Sequence, residues 1–208
     1  MPLAPILNVD SDHPNPHHAK RAVQVLQSGG LVVYPTDTYY GIGCDLFSKK
    51  AIERLYQLKG RDPRKPFAFL CPDLSDVSKY GHVSNFAYRL MKQLTPGPFT
   101  FVLKAMRVVP DMMMNRQKQV GIRVPDAELA RMIAAELGHP LVTTSATNHE
   151  GEPLTDAHEI KEALGTQVDL ILDGGIYPNE PSTVVSLIDD QVEILRQGKG
   201  EIEGVRGI

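Results

Sequence analysis

Three apolar runs in this chain stop at a proline: Leu31-Val32-Val33-Tyr34 before Pro35, Phe67-Ala68-Phe69-Leu70-Cys71 before Pro72, and Val120-Gly121-Ile122-Arg123-Val124 before Pro125. Proline has no N–H for a neighbouring strand and fixes φ near −65°, so each run reads as a short strand with a forced end. Between them, apolar residues recur at helical spacing. Ala19, Ala22, Val23 and Leu26 predict a helix from His17 to the stop at Ser28-Gly29-Gly30, and Ile52, Leu55, Tyr56 and Leu58 predict one over 50–59 with Gly60 at its C-cap. Further helices are expected over 85–94, from an Asp126 N-cap to Leu137-Gly138, and over 155–164 from a Thr155-x-x-His158 start. Further strands are expected over 100–103, 141–144, 168–172, 183–188 and 192–195, the last two forming an antiparallel hairpin. Such alternation indicates one layered α/β domain with a mixed sheet. Within it, 1–16 is an extended, proline-bearing segment over the surface, 17–196 carries the motifs and 197–208 is a tail.

Charge narrows the function classes. Twenty-two Lys and Arg against 25 Asp and Glu leave a net −3, which excludes a protein that coats nucleic acid by bulk charge. Any anion site must be built locally. The first twenty residues lack the charged n-region and apolar run of a signal peptide, and no stretch approaches the ~18 apolar residues of a membrane span. The two cysteines, Cys44 and Cys71, form no Cys-x-x-Cys pair. A cytoplasmic protein without a membrane partner is expected.

The motifs cluster at strand and helix ends. Thr36-Asp37-Thr38 leaves the first strand, either to hold a polar ligand or to satisfy its own turn. Lys59, Arg61, Arg64 and Lys65 are four cations in seven residues, either helix-end solvation or a pair flanking polyphosphate. Arg123 lies in an otherwise apolar strand and needs a partner, either a structural ion pair or an anionic ligand. Hydroxyls recur at Thr143-Thr144-Ser145-Ala146-Thr147-Asn148 and at Ser182-Thr183. No P-loop, second zincin histidine or Gly-x-Ser-x-Gly elbow occurs. His13, His17 and His18 read as solvent-exposed residues, Met112-Met113-Met114 as a flexible apolar loop, and no metal ligands are assigned.

Taken in order, Tyr34-Pro35-Thr36-Asp37-Thr38-Tyr39-Tyr40-Gly41, Lys59-Gly60-Arg61, Pro96-Gly97-Pro98-Phe99-Thr100, Ile122-Arg123-Val124-Pro125, Ser145–Asn148 and Ser182-Thr183-Val184-Val185 resemble the YrdC/YciO-like family of threonylcarbamoyl-AMP synthases and their relatives, most closely its YciO branch. The resemblance implies a twisted mixed sheet flanked by helices around a large, positively lined cavity. It also implies a reaction joining L-threonine, bicarbonate and ATP into threonylcarbamoyl-AMP and pyrophosphate, for N6-threonylcarbamoyladenosine formation in tRNA through a partner transferase. Mg²⁺ would arrive with ATP, with no permanently bound cofactor. By the same resemblance, Lys59 and Arg61 are catalytic cations on the nucleotide phosphates, joined by Lys65, Ser145 and Arg196. Thr36, Arg123, Thr143 and Ser182 fall on the threonine side. The synthases carry Ser-Ala-Asn where this chain has an extra Thr147, which displaces the asparagine to Asn148. The alternative expectation is an RNA-binding protein taking double-stranded RNA, tRNA or rRNA.

Overall fold

The computed structural model describes residues 3–62, 65–177 and 180–202. Among these residues ten strands form: β1 (Ile6–Asn8), β2 (Val32–Tyr34), β3 (Gly41–Asp45), β4 (Ala68–Leu70), β5 (Phe99–Lys104), β6 (Gln119–Arg123), β7 (Leu141–Ser145), β8 (Leu170–Asp173), β9 (Thr183–Ser186) and β10 (Glu193–Arg196). They make one mixed sheet of order β1-β8-β2-β3-β7-β4-β6-β5-β9-β10. Among the described residues six α-helices flank it: α1 (Pro16–Gln27), α2 (Lys49–Lys59), α3 (Leu74–Tyr80), α4 (Asn85–Leu94), α5 (Glu128–Leu137) and α6 (Ala157–Leu164). The expected α/β fold and the closing antiparallel hairpin are both present.

Strand periodicity decides what each face does. On one face Phe101, Leu103, Ile122, Phe69 and Val185 enter an apolar core with residues of α2, α3, α4 and α6. On the other, α1 and α5 bury Leu26, Leu129, Ile133 and Leu137 against Tyr34, Leu70, Leu141, Leu170 and Leu172. No helix belonging to that second cluster continues over β6, β5 and β9 among the described residues. Half of one sheet face is therefore open for a ligand.

Several local expectations are corrected. Ile6–Asn8 is extended as expected but joins the edge of the sheet: it pairs parallel with β8, Ile6 opposite Ile171, while Ala4 N–H bonds Gly165 O at 2.8 Å. The strand β3 and the helix α3 were both unexpected, although Asp73 caps α3 through the Ser75 and Asp76 N–H groups. Asp126 does not cap α5, which starts from Ala127 without a side-chain bond; the Asp126 N–H goes to Asp37 Oδ2 at 3.0 Å. Asp156, rather than Thr155, caps α6. Met113 is fully buried in a 3-10 turn rather than mobile, because its side chain joins the main core. His13 and His17 are exposed, but His18 is half-buried.

The strand β3 survives two glycines because of Tyr34. A Cβ on Gly41 or Gly43 would lie 2.8 Å from the Tyr34 ring, so the ring crosses β3 where side chains are missing. Beyond it, the Tyr34 hydroxyl meets Thr143 Oγ1 on β7 at 2.6 Å. Burial raises the Tyr34 pKa well above its ordinary value, which keeps the phenol protonated. Gly43→Ala is expected to cost about 1–3 kcal/mol by overpacking. Urea denaturation should show that cost falling in a Tyr34→Ala background.

Candidate functional site

Alternate residues of the open face form the floor of a cavity of about 430 Å³. Thr100 and Val102 come from β5, Gly121 and Arg123 from β6, Ala68 and Leu70 from β4, and Thr143 and Ser145 from β7. Their neighbours across the ladder fit this placement: Leu70 pairs with Arg123, Ala68 with Thr143, and Thr100 with Val184. Gly121 at the centre would place a Cβ 3.5 Å from Thr100 Cγ2 and 3.6 Å from Ala68 Cβ, which is ordinary contact. Four cations, Arg61, Lys65, Arg123 and Arg196, line the cavity, and no carboxylate does among the described residues.

Arg123 resolves its two readings through an ion pair. Its Nη2 pairs with Asp37 Oδ1 and donates to Thr38 Oγ1 at 2.9 Å, with side-chain exposures of 12% for Arg123 and 9% for Asp37. Its Nε is buried without a protein partner. Asp37 is itself held by the Asp126 N–H, and the Lys199 ammonium donates to the Asp37 carbonyl at 2.7 Å. Thr36 Oγ1 donates to Tyr39 O at 2.5 Å and accepts from Thr38 N at 3.2 Å, so the loop is also a self-satisfied turn.

Arg196 reaches the cavity through a bulge in β10, between Ile194 opposite Val185 and Arg196 opposite Val184. Its Nη2 donates to Ser182 O at 2.8 Å and to Ser182 Oγ at 3.1 Å, while Ser182 Oγ lies 3.0 Å from Thr100 Oγ1. The Gly198 N–H on Thr183 Oγ1 at 3.0 Å and the buried Ile202 pin the following segment beside this wall.

At the other wall, α2 ends on Lys59 and a left-handed Gly60. Arg61 turns back, Nε to Lys65 O at 2.8 Å, with its guanidinium 5.1 Å from the Phe67 ring centroid. Lys59 does not line the main cavity. It faces an adjoining depression of about 700 Å³, shared with Arg61, Lys65, Thr147 and His149. Its ammonium donates to Ser145 O at 3.2 Å and to Thr147 Oγ1. Burial, with the Arg61 charge added, lowers its pKa to about 8.

The structure therefore brings Thr36, Arg61, Lys65, Arg123, Thr143, Ser145, Ser182 and Arg196 to one cavity, with Lys59 on its partition. Arg64 lies outside the described residues, as do 203–208 of the tail. Lining residues not singled out from sequence include Asn115 and Gln119. Gln119 had a usable signal, since it stands four residues before Arg123 on the same strand face. Lys199 had none, because its contact depends on the path of the chain after β10.

Known proteins share this architecture. The Sua5/YciO/YrdC family model, described as "Telomere recombination", matches residues 24–198. The YciO protein of Escherichia coli K12, named as uncharacterized, is 38% identical over 197 residues, which are 94% of this chain and 96% of that one. The crystal structure of E. coli YciO aligns with a TM-score of 0.92 and 36% identity, over 98% of this chain and 100% of that chain. A threonylcarbamoyl-AMP synthase of Nitrosococcus oceani is 34% identical over 154 residues, 74% of this chain and 83% of its own. P. abyssi Sua5 complexed with L-threonine aligns with a TM-score of 0.86 and 28% identity, over 94% of this chain and 58% of the longer one. This chain belongs to the Sua5/YciO/YrdC family, which includes threonylcarbamoyl-AMP synthases.

Two measurements check the electrostatics. In lysine side-chain NMR, Lys59 should titrate near pH 8, and Arg61→Ala should move it upward by removing a like charge. Asp37→Ala should cost about 3–5 kcal/mol in urea denaturation by leaving Arg123 charged and unpaired. Adding Arg123→Leu should recover much of that loss.

Proposed function

We propose that this chain is an ATP-dependent enzyme of the L-threonylcarbamoyladenylate synthase type. The observation that carries the proposal is the convergence of four cations and several hydroxyls on one cavity that no carboxylate lines among the described residues. A reaction between two anions needs such a surface, because catalysis is mainly positioning and charge neutralisation. Threonine's amine would take up CO₂ as a carbamate, and a carbamate oxygen would attack the α-phosphate of ATP. A P–O bond forms there as the bond to the β-phosphate breaks, and pyrophosphate leaves. No protein nucleophile is required.

In this reading Thr36, Arg123, Thr143 and Ser182 form the amino-acid end. Arg123 is held through Nη2 on Asp37 and Thr38, so its fork is fixed before a carboxylate arrives. Arg61, Lys65, Ser145 and Arg196 form the nucleotide end, and Lys59 reaches the phosphates from the partition. No group of three or more His, Cys, Asp or Glu among the described residues suits a metal ion, so Mg²⁺ would travel on the triphosphate. The product would serve threonylcarbamoyl transfer to tRNA by a partner enzyme.

Exposed Arg61 and Lys65 also favour a second reading, in which the same rim holds RNA. That reading predicts affinity falling steeply with salt and flattening when both charges are reversed.

With ATP, bicarbonate and an amino-acid panel, pyrophosphate should appear only with threonine, and Arg61→Ala should slow release by roughly 10²-fold. Pyrophosphate release no faster with threonine than without it would refute the proposal.

A further inference from the structure

The turn after β7 contains a side chain whose contact the proposed reaction does not use. Thr147 Oγ1 accepts a hydrogen bond from Lys59, whose ammonium also holds the Ser145 carbonyl. Its neighbour Asn148 is spent inside its own turn. Asn148 Nδ2 donates to Glu152 Oε2 at 2.9 Å, and its Oδ1 accepts the Glu152 N–H at 2.8 Å. The Asn148 N–H bonds Glu152 O at 2.9 Å, Gly151 N–H bonds Asn148 O at 3.1 Å, and Thr147 bridges to Pro153. Asn148 is thus tied to the far side of the turn, and Thr147 is the residue that meets the end of α2.

Lys59 has three N–H donors and gives at least two to neutral protein oxygens. Arg61 and Lys65 line both the main cavity and the adjoining depression, whereas Lys59 lines only the depression. A phosphate entering the main cavity therefore meets Arg61 and Lys65 before Lys59.

We propose that Thr147 is a positioning residue that holds Lys59 on the partition, so that Lys59 turns fully onto phosphate by exchanging the Thr147 hydroxyl for a phosphate oxygen. The inference rests on the phosphate-binding reading above and names the residue that sets which cation engages first. A charge-assisted bond to phosphate is stronger than one to a hydroxyl, so the exchange is favourable, but the lost hydroxyl contact is subtracted from the affinity.

Thr147→Val keeps the shape and removes the acceptor. By calorimetry at pH 7 with inorganic pyrophosphate as the probe, it should bind about tenfold more tightly than the unaltered protein, the weight of roughly one hydrogen bond. Thr147→Ser should restore the original affinity, and Lys59→Met with Thr147→Val should abolish the gain. In lysine NMR, Lys59 should titrate lower in Thr147→Val, because an acceptor that favours the ammonium is gone. Thr147→Ala provides the same test should the valine variant fail to fold. Unchanged pyrophosphate affinity in a folded valine or alanine variant, or a gain that persists without Lys59, overturns the proposal. A Lys59-dependent gain without threonine-dependent turnover keeps Thr147's role and removes the synthase reading. Turnover without the gain does the reverse.

Discussion

A guanidinium on an otherwise apolar strand cannot be buried alone, and the pairing of Arg123 with Asp37 is the contact around which the site is arranged. It ties the end of β6 to the loop between β2 and β3, elements separated in the sheet by β7 and β4. The Asp126 N–H joins the same carboxylate, so the entry to α5 is fixed to that loop as well. Lys199 adds the segment after β10 through the Asp37 carbonyl. Three distant stretches of the chain thus meet at one acidic residue, whose partner Arg123 lines the cavity.

The second determinant is incomplete coverage. With α1 and α5 over one half of a face and strand side chains alternating, the other half keeps small and hydroxylated residues where a core would need large ones. Thr100, Gly121 and Ala68 are poor core residues and suitable floor residues. The opposite sides of the same strands carry Phe101, Ile122 and Phe69, so each strand stabilises the fold and shapes the cavity at once.

The α/β class was legible because its signals are local: proline-stopped apolar runs and amphipathic helices with caps such as Gly60 and Gly138. The strand β3 was not, since Gly41 and Gly43 weaken strand propensity and their reason, the Tyr34 ring, lies on a neighbouring strand. Likewise β1 is three residues long and is specified by pairing with β8, over 160 residues away. Arg123's need for a partner was legible; that the partner is Asp37 depended on topology. The displaced asparagine was visible in sequence, but Thr147's hold on Lys59 appears only when the turn is folded.

The glycine at the centre of the floor has a further consequence. Gly121 sits in regular strand with room for a methyl group, so the depth there is set by a missing side chain rather than by the course of the backbone. A lineage could therefore make this cavity shallower with one base change, leaving the ladder intact. Substrate range in such a scaffold can drift one small group at a time, largely independently of folding.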